Sequence, residues 1–273
     1  MTSFEDPMVR IEQVHKSLGG KEVLRGISLE IPRSETTVIM GPSGCGKSVL
    51  LKHIIGLMRP DSGRIWVDGE EASAMSLREL NRLRQKMGAL FQSAALFDSM
   101  TVADNVAFML RQHRSMTRSE IASEVAKALE MVDLTGAEKL KPAELSGGMR
   151  KRVGLARAVV MHPTLILYDE PTTGLDPITA RGINNMIRDM HERLGATSIV
   201  VTHDVESALS VGGYFALTQD GQIVMEGSPR EALRSDNPLA LQFFHPDQYV
   251  ASLNKDNGGG GSKSAGGDGA SLG

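Results

Sequence analysis

Gly41-Pro42-Ser43-Gly44-Cys45-Gly46-Lys47-Ser48 is the stretch from which the rest of the chain is read. The octet satisfies the phosphate-loop pattern G-x-x-x-x-G-K-S/T. It also sits where that pattern has meaning, after a β-rich run (Thr36 to Met40) and before a helical one (Ser48 to Leu57). Its glycines let the backbone curl until successive N–H groups aim at one anion, helped by the positive end of the following helix. Lys47 has the reach for terminal phosphates, and Ser48 offers a hydroxyl to Mg²⁺. The bland alternative, a Gly-rich turn that happens to precede a helix, is disfavoured by the flanking context. Gly41 to Ser48, with Val49 behind them, are therefore candidate contacts to a nucleoside triphosphate.

The remaining composition narrows the setting. At 273 residues, 41% hydrophobic and 23% charged, the chain can bury a sizeable core in one large domain or two small ones. A net charge of −3 gives no global basic field, which argues against nucleic acid as a partner. The single cysteine, Cys45, excludes an intrachain disulfide and fits a reducing compartment. No apolar run approaches the ~20 residues of a membrane span, and the N-terminus lacks the basic-then-apolar layout of a signal peptide. The expected setting is the cytoplasm.

Outward from the loop, Met8 to Leu18 and Ile27 to Ile31 alternate apolar and polar residues about Gly19-Gly20, predicting antiparallel strands. Pro60 to Gly63 reads as a turn, and Arg64 to Val67 as a strand closed by Asp68-Gly69. Ser76 opens a charged helix to about Arg84, and Met87 to Phe91 is a buried strand ending at Gln92. Met109 to Thr117, with Arg111, His113 and Arg114, reads as a helix with a solvated face. Thr117 and Glu120 make a capping box for a helix lined by Ile121, Val125, Leu129 and Val132. Helices are expected over Gly148 to Met161 and Pro177 to Leu194. Apolar strands are expected over Thr164 to Asp169 and Thr197 to Thr202. Tyr214 to Leu217 and Gln222 to Met225 predict a hairpin around Gln219-Asp220-Gly221. Strands apolar on both faces and alternating with helices predict an α/β fold with a covered, mostly parallel sheet. From Asn257 the composition is that of a flexible coil.

Four further motifs carry chemistry. Asp169 and Glu170 end an apolar strand that should lie beside the phosphate loop. Asp169 is then placed to hold Mg²⁺ and Glu170 to orient or deprotonate the attacking water. Alone, the same acids would as readily cap the next helix. Gln92 follows a buried strand, where an amide suits Mg²⁺ or water, although loop glutamines are usually just solvated. His203 ends another strand and suits a γ-phosphate contact, against the plainer role of a structural cap. Ser146 is a natural N-cap, with Gly147-Gly148 exposing N–H groups at a second helix start. Arg150, Lys151 and Arg152 crowd that first turn, where the helix dipole disfavours cations, so something negative should compensate them. The alternative is an ordinary capped helix with a solvated basic face.

Together and in this order, the phosphate loop, Gln92, LSGGM (Leu145 to Met149) with Arg152, ILYDEPTTGLDP (Ile166 to Pro177) and VTHD (Val201 to Asp204) resemble the ATP-binding cassette (ABC) ATPases over roughly Met8 to Gly227. The resemblance implies a phosphate-loop NTPase core, an N-terminal antiparallel β subdomain and a helical signature subdomain at about 93–162. It implies ATP and Mg²⁺, the latter on Ser48, Gln92 and Asp169. Glu170 becomes the catalytic base, Gln92 and His203 the sensing residues, and Ser146, Gly147, Gly148 the signature that covers ATP across a head-to-tail homodimer. Asp176 becomes the residue of the D-loop. Two departures stand out. Leu18 occupies the usual place of an adenine-stacking aromatic, leaving adenine to Leu18, Val23 or a partner residue, and Met149 replaces the usual glutamine. Met149 with FQSAALF (Phe91 to Phe97) is similar to the Mla-type subgroup, which drives lipid transport with membrane permease subunits and mammalian-cell-entry (MCE) proteins.

The expectation is thus a transport ATPase on the inner face of the cytoplasmic membrane, with a cassette at 1–227, an extension at 228–256 and a tail at 257–273. Its rivals are a switch ATPase in cell division or envelope remodelling, an importer ATPase for a polar solute, and a nucleic-acid-associated ATPase. The last lacks the coiled-coil insertion or tandem cassette it would need. The apolar run Ala94 to Phe97 would either seat a helix of a membrane partner or pack inward. Leu239, Leu241, Phe243, Phe244, Tyr249 and Leu253 are more apolar than a free tail requires, and predict docking.

Overall fold

A computed structural model describes residues 4–249. Leu253 and the Gly/Ser-rich tail lie outside the described residues. β1 (Val9–Leu18) and β2 (Lys21–Ile31) pair antiparallel about Gly19-Gly20, and β3 (Thr36–Met40) leads through the phosphate loop into α1 (Lys47–Ile54). β4 (Ser62–Val67) and β5 (Glu70–Glu71) complete an antiparallel sheet in the order β2-β1-β4-β5. α2 (Leu77–Arg84), closed at its start by the capping box Ser76–Glu79, precedes β6 (Met87–Leu90). The helical layer is α3 (Val102–His113), α4 (Arg118–Glu130) and α5 (Gly147–Val159). β7 (Leu165–Asp169), α6 (Pro177–Leu194), β8 (Thr197–Thr202) and α7 (Val205–Val211) return the chain to the main sheet. The hairpin of β9 (Tyr214–Gln219) and β10 (Gln222–Gly227), then α8 (Pro229–Arg234) and α9 (Pro238–Phe244), follow.

The main sheet has the order β10-β9-β3-β8-β7-β6, parallel except for the hairpin edge. β3, β7 and β8 are buried at every position, as strands covered on both faces must be. Alternation divides their side chains between two cores. Val38, Met40, Ile166, Tyr168 and Val200 pack under the helical layer, while Ile39, Leu167, Ile199 and Val201 pack against α1 and the antiparallel sheet. Each such side chain contributes roughly 1.5–3 kcal/mol of burial, and a one-residue slip would exchange the two sets.

Several expectations need correction. The helix expected at Met109 starts seven residues earlier, at Val102, capped by Thr101, and buries Val102, Val106, Ala107 and Leu110. Arg111, His113 and Arg114 are exposed as expected, with Arg111 2.8 Å from Asp104. β9 runs through Gln219, so only Asp220-Gly221 turns the hairpin. The short helices α7, α8 and α9 were not anticipated. The basic first turn of α5 is compensated as expected, by carbonyl oxygens and, at Arg152, by the carboxylate of Asp133 at 3.5 Å. Arg150 donates to Leu145 O, Lys151 to Gln92 O and Glu170 O, and Arg152 to Val132 O beside Asp133. Lys151 is 5% exposed, so the face is not simply solvated.

The Ala94–Phe97 run divides. Ala94 is buried and Leu96 packs on the core, whereas Phe97 is 42% exposed, its ring tilted 4.8 Å from that of Phe108. Beyond Gly227, Leu239 and Ala240 are buried, and the Phe244 ring meets Phe215 edge-on at 6.1 Å, so the extension docks on its own domain. Among the described residues no helix is long and apolar enough to cross a membrane.

Candidate active site

Because β3, β6, β7 and β8 run parallel, their C-terminal ends bring four distant segments to one edge of the sheet. β3 delivers the phosphate loop, β6 delivers Gln92, β7 delivers Asp169 and Glu170, and β8 delivers His203. Gly46 takes φ 102° at the start of α1, a left-handed conformation closed to most residues, so the first N–H groups of α1 have no side-chain cap and face the loop. A Cβ on Gly41 would stand 2.2 Å from Thr218 O, so the loop lies flat against β9.

Lys47, 7% exposed, spans the loop and donates to Gly41 O (2.7 Å) and Pro42 O (3.0 Å). Ser48 Oγ donates to Asp169 Oδ1 at 2.7 Å. Glu170 has φ 49°, an uncommon left-handed conformation for a non-glycine residue. Its N–H donates to Val201 O, and its carboxylate accepts from Thr173 Oγ1 and from His203 Nδ1, each at 2.9 Å. A carboxylate only accepts, so His203 carries its proton on Nδ1 and turns Nε2 away from Glu170. Burial pushes the Asp169 carboxyl up; the Ser48 bond draws it back, and the charge of Glu170 raises it again. Two buried acids side by side, one already on a serine hydroxyl, form an oxygen donor set suited to a hard divalent cation. Among the described residues there is no cluster of three or more His, Cys, Asp or Glu side chains able to hold a metal.

Leu18, Val23, Pro42 to Val49, Gln92, Glu170 and His203 line one cavity of about 700 Å³. Gly41 and Asp169 bear on it through their bonds to Lys47 and Ser48. It is also lined by the hairpin turn Gln219-Asp220-Gly221 and by Lys21, Glu22 and Arg25, none of which the sequence assigns to a nucleotide site. The turn is held there by Arg25 N donating to Gly221 O. Cys45 lies in the wall, its thiol pushed up by burial against the opposing charge of Lys47.

Ser146, Gly147, Gly148 and Asp176 are not brought to this cavity. Ser146 caps α5 by accepting from Met149 N. Gly147 opens instead on a separate groove of about 340 Å³ with Arg150, Lys151, Thr173 and Leu175. Asp176 caps α6 by accepting from Ile178 N and Thr179 N.

Residues 24–173 match the family model described as ABC transporter. Over 237 residues the chain is 43% identical to the Mycobacterium leprae protein named "Probable ribonucleotide transport ATP-binding protein mkl", covering 87% of this chain and 68% of that one. It is 43% identical over 237 residues to the Escherichia coli K12 protein named "Intermembrane phospholipid transport system ATP-binding protein MlaF", with coverage of 87% and 88%. The fold superposes with a TM-score of 0.75, at 33% identity, on the dimeric post-hydrolysis ATP-binding cassette MJ0796 bound to ADP and Pi, over 81% of this chain and 98% of the other. By that family match, that identity and that shared architecture, the chain belongs to the ABC transporter family, as an ATP-binding, ATP-hydrolysing cassette.

Proposed function

We propose that this cassette hydrolyses ATP as a head-to-tail homodimer to drive phospholipid transport through separate membrane permease subunits of an Mla-type system, with an MCE-type lipid-binding protein as a further companion. The observation that carries the hydrolytic part is the convergence of Lys47, the Ser48–Asp169 pair and the Glu170–His203 pair on one sheet edge. The lipid part is supported by length. The relative named for phospholipid transport is matched over 88% of its length, whereas the relative named for ribonucleotide transport is matched over 68%. The working location is the inner face of the cytoplasmic membrane, with the cassette at 1–227 and its helical subdomain at about 93–162.

In this reading the N–H groups of Gly44 to Ser48 hold the phosphates, and Lys47 exchanges its loop carbonyls for phosphate oxygens. Mg²⁺ held by Ser48, Asp169 and Gln92 would supply charge neutralisation on the phosphates. Glu170 orients and deprotonates the attacking water, with its carboxylate fixed by Thr173 and His203. His203 Nε2 remains to meet the γ-phosphate. Adenine rests on Leu18 and Val23 against the Gln219–Gly221 turn. Ser146 to Gly148 and Asp176, remote from the cavity of their own chain, act on the nucleotide of the second subunit.

The ribonucleotide reading has the same percentage identity in its favour, so the test must separate cargoes. The protein is recovered from detergent-solubilised membranes, and its companions and bound small molecules are identified by mass spectrometry. Co-purification of a multi-span permease with phospholipid is expected. Enrichment of ribonucleotide substrates on the permease, without lipid, would transfer the assignment to the second reading.

A further inference from the structure

We propose that Lys151 is a positioning residue for hydrolysis, its buried ammonium tying α5 to the backbones of both Gln92 and Glu170 so that the two segments are held in one register. The inference rests on the reading of this site as an ATPase. Lys151 Nζ donates to Gln92 O at 2.6 Å and to Glu170 O at 3.1 Å. The two acceptors follow different strands, β6 and β7, and meet at this ammonium on α5, the helix capped by Ser146.

Packing alone does not explain a cation here. A side chain 5% exposed near the positive end of a helix would be cheaper as a hydrocarbon, because desolvation and the helix dipole both oppose the charge. Burial does push this ammonium's titration down, and the charges of Asp169 and Glu170 draw it back up. What the cation supplies is a pair of charge-assisted bonds to main-chain oxygens that nothing hydrophobic can satisfy.

The same helix grips the Gln92 segment a second time. Arg157 donates to Ala94 O (2.6 Å) and Ala95 O (2.8 Å), where the backbone is left-handed at φ 61° and 46°. Three carbonyls between Gln92 and Ala95 are thus fastened to α5, and Lys151 extends the fastening to Glu170, itself left-handed. From the front, Thr173 and His203 hold the Glu170 carboxylate; from behind, Lys151 holds its carbonyl. A shift of the helix carrying Ser146 is thereby delivered to Gln92 and Glu170 together.

The test compares Lys151→Met, Lys151→Gln and Lys151→Arg by steady-state ATP hydrolysis, fluorescent-nucleotide binding and thermal unfolding on the full chain. Misplacing a catalytic group by about 1 Å costs on the order of 100-fold, so Lys151→Met should lose about 10- to 100-fold in kcat while KM and nucleotide affinity stay within about threefold. Lys151→Gln, whose amide reaches one of two carbonyls, should fall between, and it carries the test if the Met variant does not fold. Lys151→Arg should recover turnover to within about threefold of wild type. Wild-type kcat in the Gln or Met variant would overturn the proposal. So would a loss explained entirely by folded fraction or by KM, or one that Arg fails to rescue. Absence of Mg²⁺-dependent hydrolysis in the wild-type chain, alone and with its permease, would instead remove the ATPase reading itself.

Discussion

Glu170→Gln keeps the shape of the side chain and removes its charge. The carboxylate accepts from Thr173 Oγ1 and His203 Nδ1, each at 2.9 Å. Reducing two charge-assisted bonds to neutral ones costs roughly 1 kcal/mol each. Against that, the Glu170 charge raises the Asp169 carboxyl, so the amide relieves a like-charge contact between two buried acids. The two effects are opposed, so thermal unfolding should move by no more than about 5 °C. Turnover has no such offset. An amide cannot take a proton from water, and loss of a positioned base costs about 10²- to 10⁴-fold, or about 3–5 kcal/mol of barrier. Single-turnover phosphate release measures this, with light scattering on the nucleotide-loaded protein to follow assembly. The variant should bind ATP, stall and accumulate as dimers. Hydrolysis within about threefold of wild type would refute Glu170 as the base.

Three other outcomes follow from the same geometry. Ser146→Arg should abolish hydrolysis while nucleotide binding by the monomer persists, since Ser146 lies off the cavity and its cap is worth only about 1 kcal/mol; normal turnover would count against a composite site. Cys45, its thiol raised by burial, holds less thiolate at pH 8 than a free cysteine. It should therefore react slowly with a bulky thiol reagent, faster as pH rises through and above 9, with loss of activity and protection by ATP; labelling without inhibition would contradict its place in the wall. Gly41→Ala places a carbon 2.2 Å from Thr218 O and should cost about 1–3 kcal/mol by chemical denaturation, with weakened nucleotide binding; an unchanged midpoint and affinity would refute the close packing of loop on β9.

The parallel sheet and its chemical edge were legible because strands buried on both faces have continuous apolar centres and end in polar residues of recognisable type. The start of α3 was not. Asn105 falls in the middle of its apolar stripe and is fully buried, its amide bonded to the carbonyls of Phe97, Met100 and Thr101, so a tertiary contact stands where periodicity expects a hydrocarbon. The onset signal, Thr101 followed by Asp104, was present. So was the Ser228–Glu231 box with Pro229 that starts α8. Glu170 and His203 were each readable as candidates, but their mutual bond depends on β7 and β8 lying side by side. The Gln219–Gly221 wall was out of reach for the same reason. It meets Leu18 and Val23 only because β10 returns beside β2, roughly two hundred residues along the chain.

The sheet also has an opposite rim, where β3, β6, β7 and β8 begin. The loops there, at 32–35, 85–86, 161–164 and 195–196, contain none of the residues assigned to nucleotide or water. Glu192, exposed in the last turn of α6 beside that rim, therefore marks a place where a dye or an affinity handle can ride on the rigid body of the cassette. Such a label would report rotations of the whole unit in a membrane assembly while leaving its chemistry undisturbed.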